Sequence, residues 1–259
     1  MYMYIHICRS QSRLESARMK IMEACQQKSR IYTVTADYHD LSQVKDMCHE
    51  IDRIVEAYPS IHVLINNAGV FTEEHLVTKD GYESTYQTNV LGSHIVTSLL
   101  WNKVSERILN VASISSSSAI SSAADLDSRY RDKGGITSHY SGHRAYSDSK
   151  LINIIQTILQ NEAKPSNAPT INCLDPGTVN TKMLLSGWGP IGIDISSAND
   201  QTYLATSMDD VVCQSSGTYF VGGRVSTPPA AALNPEIQRV CLEMLEHHTG
   251  LPLFSSSSF

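Results

Sequence analysis

The segment Val63-Leu64-Ile65-Asn66-Asn67-Ala68-Gly69 joins a short apolar run to amide-bearing and small residues. The apolar run is bounded and short, which predicts a buried strand. The four residues that follow it would then lie at the carboxyl end of the strand, where open parallel sheets bind their ligands. Small residues at that place would allow a nucleotide to approach the backbone. The alternative is an ordinary turn after a strand.

Apolar runs alternate with helical periodicity along the chain. The runs at 4–8, 31–35, 63–65, 108–112, 171–174 and 219–221 predict strands. Apolar residues at i, i+3, i+4 and i+7 from 41 to 58 predict an amphipathic helix. Further helices are predicted at 82–104, 146–161 and 235–248. This alternation predicts a parallel sheet with helices on both faces, in a single domain over residues 1–259 whose last residues, 255–259, form a frayed tail.

Composition excludes some classes of protein. The net charge of −6 and the absence of a basic run argue against a nucleic-acid surface. The six cysteines are widely spread with no Cys-x-x-Cys, which predicts reduced thiols in the cytoplasm. No apolar stretch approaches the roughly 18 residues that a membrane span needs.

Tyr146 and Lys150 stand four residues apart in a predicted helix and therefore share one face. Free tyrosine has a pKa of about 10, and a pKa near 7 requires roughly 4 kcal/mol of extra stabilisation of the phenolate. A cation about 4 Å away at an effective dielectric near 20 supplies about that much. The pair therefore suits a tyrosine that exchanges protons at neutral pH. Taken alone, such a pair is usually no more than a helix surface.

Four motifs occur together and in order: Asn66 to Gly69, Asn89, Ser113, and the pair Tyr146 and Lys150. In this the chain resembles the short-chain dehydrogenase/reductase family, from about residue 5 to about residue 250. The resemblance implies a Rossmann-like, doubly wound α/β fold and an oxidoreductase that interconverts an alcohol and a carbonyl. The long interval from Ser113 to Tyr146 is similar to the retinol-dehydrogenase-like branch, and we expect it to be a surface loop near the mouth of the site.

The resemblance also implies the catalytic roles. Tyr146 would give or take the proton, and Lys150 would lower the pKa of Tyr146 and contact the nicotinamide ribose. Ser113 would hydrogen-bond the substrate oxygen, and Asn89 would anchor a water-linked proton path. The simpler readings are a serine at a strand end and a buried asparagine at a helix kink.

The cofactor that the resemblance implies is NADP rather than NAD. Arg9 follows the first predicted strand, where an arginine suits a 2′-phosphate, and charge-assisted bonds contribute roughly 1.5–3 kcal/mol each. The implied cofactor-binding residues are Arg9, Asp37, Asn67, Ala68, Gly69, Tyr146, Lys150, Pro176, Gly177, Val179 and Thr181. The simpler readings are a solvated arginine at a helix start and, for Asp37, a residue near a helix N-cap.

The sequence departs from the family at one place. The glycine-rich phosphate loop has no counterpart, and the chain resembles a member that begins at the second strand of the fold. The resemblance therefore implies that the first β-α unit is missing, which would leave two inner sheet edges facing each other across a gap. The rival hypothesis is a cofactor-poor, inactive relative that acts as a binding module or is a truncated gene product.

Two further segments bear on ligands. Residues 183–188 are predicted to form part of an apolar lid, which favours a lipophilic small-molecule substrate. His139 and His143 have a spacing that could bind a metal on a helix, but their surroundings are typical of a loop and offer no third ligand. No metal site is therefore predicted.

Overall fold

A computed structural model describes residues 3–24, 30–118, 120–133 and 140–255. The strands are β1 (Met3–Cys8), β2 (Arg30–Thr35), β3 (Ile61–Asn66), β4 (Val104–Val111), β5 (Thr170–Asp175), β6 (Tyr219–Val221) and β7 (Arg224–Ser226). The helices are α1 (Gln11–Ala24), α2 (Leu41–Val55), α3 (Ser84–Tyr86), α4 (Gly92–Leu100), α5 (Ala123–Tyr130), α6 (Gly142–Ala163), α7 (Lys182–Gly187), α8 (Asp200–Thr206), α9 (Asp210–Gln214) and α10 (Pro235–Thr249). All six predicted strands are present. None of the helices in the described residues is long and apolar enough to cross a bilayer.

The strands form two sheets. The larger sheet has the order β3-β4-β5-β6-β7, in which only β7 runs antiparallel to its neighbour. The smaller sheet is the parallel pair β1-β2. The prediction of an α/β fold with a parallel sheet is confirmed.

The free edges of β1 and β3 line the same cleft, whose volume is about 400 Å³. Within the described residues no strand pairing joins these two edges. Ile5 and Ile7 of β1 and Leu64 of β3 contribute apolar side chains to the cleft. The two facing inner edges that the resemblance implies are therefore present.

Helix α2 packs the apolar stripe predicted from the sequence against the hydrophobic core. Its apolar stripe, which includes Val44, Cys48 and Ile51, is fully buried in the main hydrophobic cluster. The helix begins after Asp40, whose carboxylate accepts a hydrogen bond from the backbone N–H of Ser42 at 3.1 Å. The N-cap is therefore Asp40, whereas Asp37 accepts the backbone N–H of His39 at 3.1 Å in the turn before the helix.

Two helical regions differ from the sequence predictions. Helix α1 was not predicted, because it has no periodic apolar stripe; Leu14 is its one fully buried residue. The predicted helix at 82–104 is interrupted by a π-helical turn at Gln87–Leu91 and ends in a 3-10 turn at Trp101–Lys103. An extra residue in such a turn commonly marks a functional position.

The interval between Ser113 and Tyr146 is not simply a surface loop, and that prediction was wrong in part. It contains α5, whose Leu126 and Tyr130 are buried against the core. His139, which the sequence analysis considered and rejected as a metal ligand, lies outside the described residues, as does the tail beyond Ser255. Among the residues described, no cluster of three potential metal ligands occurs.

A buried ion pair attaches α5 to α6. Arg129 donates to the Asp148 carboxylate at 2.7 Å, and the Tyr130 hydroxyl donates to the same oxygen at 3.0 Å. The Asp148 side chain is 1% exposed and that of Arg129 is 13% exposed. Because Asp148 lies between Tyr146 and Lys150 in the chain, this pair fixes the helix that carries both residues.

We expect Arg129→Met to lower the free energy of unfolding by about 3–5 kcal/mol, because it leaves a buried carboxylate without its partner. Urea denaturation measures the loss. The matched control is Arg131→Met, which removes an exposed pair with Asp127 and should change the free energy by less than about 1 kcal/mol. Equal losses in the two variants would contradict the assignment.

The loss should also depend on pH. Burial raises the pKa of Asp148 from its usual 3.8 to about 6. A raised folded pKa favours the protonated carboxyl on folding, so this contribution to stability is complete below pH 3.8 and is lost as the pH rises through 6. Removal of Arg129 would raise the pKa further, so Arg129→Met should cost more at about pH 8 than at about pH 5.

Candidate active site

Helix α6 brings its first turns against the carboxyl end of the larger sheet. The helix begins after Ser141, whose hydroxyl accepts the N–H of Arg144 at 3.4 Å. A Cβ on Gly142 would lie 2.1 Å from the carbonyl oxygen of Thr72, so only glycine allows this approach to the loop after β3. Tyr146 and Lys150 are thereby placed beside the end of β4, after which Ser113 follows.

The hydroxyl of Ser113 interacts with the phenol of Tyr146. Burial raises the pKa of Tyr146 to about 12, the carboxylate of Asp175 raises it as well, and Ser113 acts in the opposite direction. The phenol is therefore protonated at neutral pH.

Lys150 is buried and donates from Nζ to the carbonyl oxygen of Val111 at 2.8 Å. The same nitrogen lies 5.5 Å from the centre of the Tyr146 ring. Burial lowers the pKa of the ammonium group to about 8. Burial is the largest influence on the pKa of Tyr146, and the lowering of that pKa by Lys150 stays a prediction.

Asn89 lies in the π-helical turn and is fully buried. Its Oδ1 accepts the N–H of Val70 at 2.8 Å, and its Nδ2 donates to the carbonyl oxygen of Val70 at 3.1 Å and to the Ser149 hydroxyl at 3.0 Å. Ser149 in turn donates to the carbonyl oxygen of Tyr146 at 2.7 Å. Asn89 therefore ties the turn after β3 to the helix that carries Tyr146.

Gly69 lies next to the side chains of Asn89 and Lys150. A Cβ built on it would be 3.4 Å from Oδ1 of Asn89 and 3.6 Å from Nζ of Lys150. The backbone of the turn at 66–69 therefore lies close to the buried lysine, and a Cβ on Gly69 would make ordinary van der Waals contact with Asn89 and Lys150.

The cleft between β1 and β3 leads away from this turn. Its lining includes the predicted residues Arg9, Asp37, Asn67, Ala68 and Gly69. Arg13, in the first turn of α1, also lines the cleft. Arg13 was not predicted from the sequence, because Arg9 precedes the helix and no helical spacing links the two arginines.

The segment after β5 contains the other predicted residues. Gly177 has φ +80°, a left-handed conformation that favours glycine after Pro176. Val179 pairs with Ile193 in an isolated bridge. Thr181 is the N-cap of α7 and accepts the N–H of Leu184 at 3.3 Å. The beginning of α7 also approaches the Gly69 turn, since Cε of Met183 would lie 3.8 Å from a Cβ there.

An aromatic cluster beside Tyr146 was not predicted from the sequence. Trp188, at the end of α7, lies 5.5 Å from the Tyr146 ring, 4.6 Å from Phe71 and 4.8 Å from His143 between ring centres. The His143 ring also forms a 3.1 Å hydrogen bond with the Gly187 carbonyl oxygen. These rings come from three distant segments, so only the fold brings them together.

Residues 3–124 match the sequence model of a family described as short chain dehydrogenase. The chain is also similar to human retinol dehydrogenase 13, with 28% identity over 252 residues that cover 90% of this chain and 72% of that protein. These matches support a short-chain dehydrogenase/reductase of the retinol-dehydrogenase-like branch, an NAD(P)-dependent oxidoreductase of alcohols and carbonyls.

Solved structures show the same fold. A putative uncharacterized protein from Mycobacterium paratuberculosis superimposes with a TM-score of 0.66 at 22% identity, covering 97% of this chain and 94% of that one. An NADPH-bound carbonyl reductase from chicken fatty liver superimposes with a TM-score of 0.59 at 15% identity, covering 86% of each chain.

Two places in the structure suit the dinucleotide cofactor of the family. At one end of the cleft, the backbone at Gly69 lies close to the Lys150 ammonium group. Along the cleft, Arg9 and Arg13 supply positive charge. Between these places the family uses a glycine-rich turn for the pyrophosphate. Residues 1–68 contain no glycine, so no such turn occurs among them.

Proposed function

We propose that this short-chain dehydrogenase interconverts a lipophilic alcohol and its aldehyde or ketone, with NADP as the hydride carrier. The observation that carries the proposal is the convergence of Ser113, Tyr146 and Lys150 beside the Gly69 turn. NADP, when bound, supplies or accepts the hydride, and its oxidised ring carries a positive charge next to the site.

Each residue has one task in the proposed reaction. Ser113 holds the substrate oxygen by a hydrogen bond, and Tyr146 gives the proton to that oxygen or takes it away. Lys150 contacts the nicotinamide ribose and stabilises negative charge on Tyr146. Asn89 holds the turn after β3 against α6 and anchors the proton path toward Lys150. Pro176, Gly177, Val179 and Thr181 shape the pocket for the nicotinamide carboxamide.

We assign the remaining lining of the cleft to the nucleotide half of the cofactor. Arg9 binds the 2′-phosphate, Arg13 adds charge beside it, and Asp37 contacts the adenine. Asn67 and Ala68 pass close to the ribose. Support comes from the shared position of these residues in one cleft.

We expect Arg9→Asp to weaken NADP binding by about ten- to a hundred-fold relative to NAD, because it replaces an attraction for the 2′-phosphate by a repulsion. Fluorescence titration with both dinucleotides measures the ratio. The matched control is Arg18→Asp in α1, the helix that follows Arg9, since Arg18 pairs with Glu15 and is not among the residues that line the cleft. An unchanged ratio in Arg9→Asp would refute the placement of the 2′-phosphate.

The lipophilic substrate follows from the surface around Trp188. Leu185, Ile191 and Ile193 are 47%, 67% and 50% exposed, respectively, and stand within five residues of Trp188 along the chain. Such a rim suits an apolar substrate tail. Steady-state assays with a series of aldehydes of increasing chain length test this: kcat/KM should rise with chain length, and a preference for short hydrophilic carbonyls would contradict it.

One observation favours a second function, that of a binding module without cofactor. The cleft is open along two unpaired strand edges, and no glycine-rich turn closes it within residues 1–68. Dinucleotide titration separates the two functions, since saturable NADP binding is required only by the enzyme. The spread of unpaired cysteines supports the cytoplasm as the proposed compartment.

A further inference from the structure

Asp175, the last residue of β5, is a buried carboxylate that the sequence analysis did not single out. Its side chain is enclosed, and the residue is 5% exposed. Oδ1 accepts the backbone N–H of Ile114 at 3.2 Å, and Oδ2 accepts that of Gly177, also at 3.2 Å. Ile114 directly follows Ser113, and Gly177 directly follows Pro176. One side chain therefore connects the two turns that end β4 and β5.

The chemistry of the two turns explains why an aspartate stands there. Pro176 has no N–H, so Gly177 is the first donor after β5, and an aspartate two residues before it can accept that bond. The second carboxylate oxygen then reaches across the sheet to the first donor after Ser113. A buried carboxylate needs such donors, because an unpaired charge in the interior is costly.

We propose that Asp175 is a positioning residue that locks the Ser113 turn to the Pro176–Gly177 turn, so that the serine stays aligned with the nicotinamide pocket. This inference rests on the proposed function of those two turns. It adds a residue that acts through its neighbours and has no direct contact with the substrate.

The charge of Asp175 acts on the same site. Tyr146 and Lys150 of α6, Tyr219 of β6 and Asp200 of α8 are the titratable groups that interact with it. Its carboxylate raises the pKa of Tyr146 and of Lys150. Alcohol oxidation requires Tyr146 to lose its proton, so removal of this charge should move the rise of kcat to lower pH.

The test compares Asp175→Ala, Asp175→Asn and the control Asp200→Asn. Asp200 has Oδ2 only 3.9 Å from a Cβ placed on Gly177, so its substitution removes a nearby charge and leaves the carboxylate that accepts both N–H groups. Asparagine at 175 retains one acceptor but presents an NH2 group to the other N–H. If Asp175→Ala does not fold, Asp175→Asn alone tests the proposal.

Amide hydrogen exchange by NMR is the first readout and needs no activity. We expect exchange at Ile114 and Gly177 to accelerate at least about ten-fold in Asp175→Ala, less in Asp175→Asn and not in Asp200→Asn. In the pH profile, Asp175→Asn should lower kcat with little change in KM for NADP, and shift the midpoint down by about one unit.

Unchanged exchange at both amides in Asp175→Asn and Asp175→Ala would overturn the proposal. Equal acceleration in Asp200→Asn would also overturn it, because the effect would then come from charge alone. If the parent protein turns over no alcohol or carbonyl, the proposed function fails, whereas the exchange measurement still decides whether Asp175 locks the two turns.

Discussion

Tyr146→Phe should reduce turnover by about a hundred- to ten-thousand-fold, because general acid–base catalysis commonly contributes 10² to 10⁴ and the phenyl ring cannot exchange a proton. The aromatic contacts with Trp188 and Phe71 need only the ring and should remain. The affinity for NADP should therefore stay within a few-fold of the parent. Steady-state kinetics and dinucleotide titration on the same preparations measure the two effects.

The matched control is Tyr58→Phe. The Tyr58 hydroxyl bonds that of Tyr32 at 2.8 Å near the amino end of β2, away from the candidate site. Its removal should leave turnover unchanged. A Tyr146→Phe variant that keeps more than about a tenth of the parental rate would remove Tyr146 from the proton-transfer step.

Closing the gap between β1 and β3 should have the second large effect. We expect an N-terminal fusion that supplies an apolar parallel strand and a glycine-rich turn to raise Tm by about 10 °C or more. The strand would pair backbone groups that both edges leave unpaired, and several hydrogen bonds of about 1 kcal/mol each shift Tm by that amount in a protein of this size. NADP affinity should rise about a hundred-fold together with Tm, since the turn offers backbone N–H groups to the pyrophosphate.

The control fusion has the same length but carries prolines at alternate strand positions, which cannot pair with either edge. It should leave both Tm and NADP affinity at the parental values, with the parent binding NADP no better than about millimolar. The expectation fails if residues 1–259 alone melt cooperatively above about 50 °C and bind NADP at micromolar concentration.

Local pattern determined much of this protein. The strands and α2 follow from short apolar runs and from one apolar stripe, because burial of a strand or helix face is encoded within a few residues. Tyr146 and Lys150 could be placed on one face of α6 because residues four positions apart share a face of a helix. Helix α1 escaped prediction because its contact with the core depends on a single buried leucine.

Only the tertiary structure decided the rest. The Asp175 lock joins residues 61 positions apart, and the rings around Tyr146 come from three segments, so neither follows from spacing along the chain. Helix α5 replaces part of a predicted loop because Arg129 reaches a carboxylate on α6. The pKa of Tyr146 is raised rather than lowered, because burial and charge at a site depend on every segment packed around it.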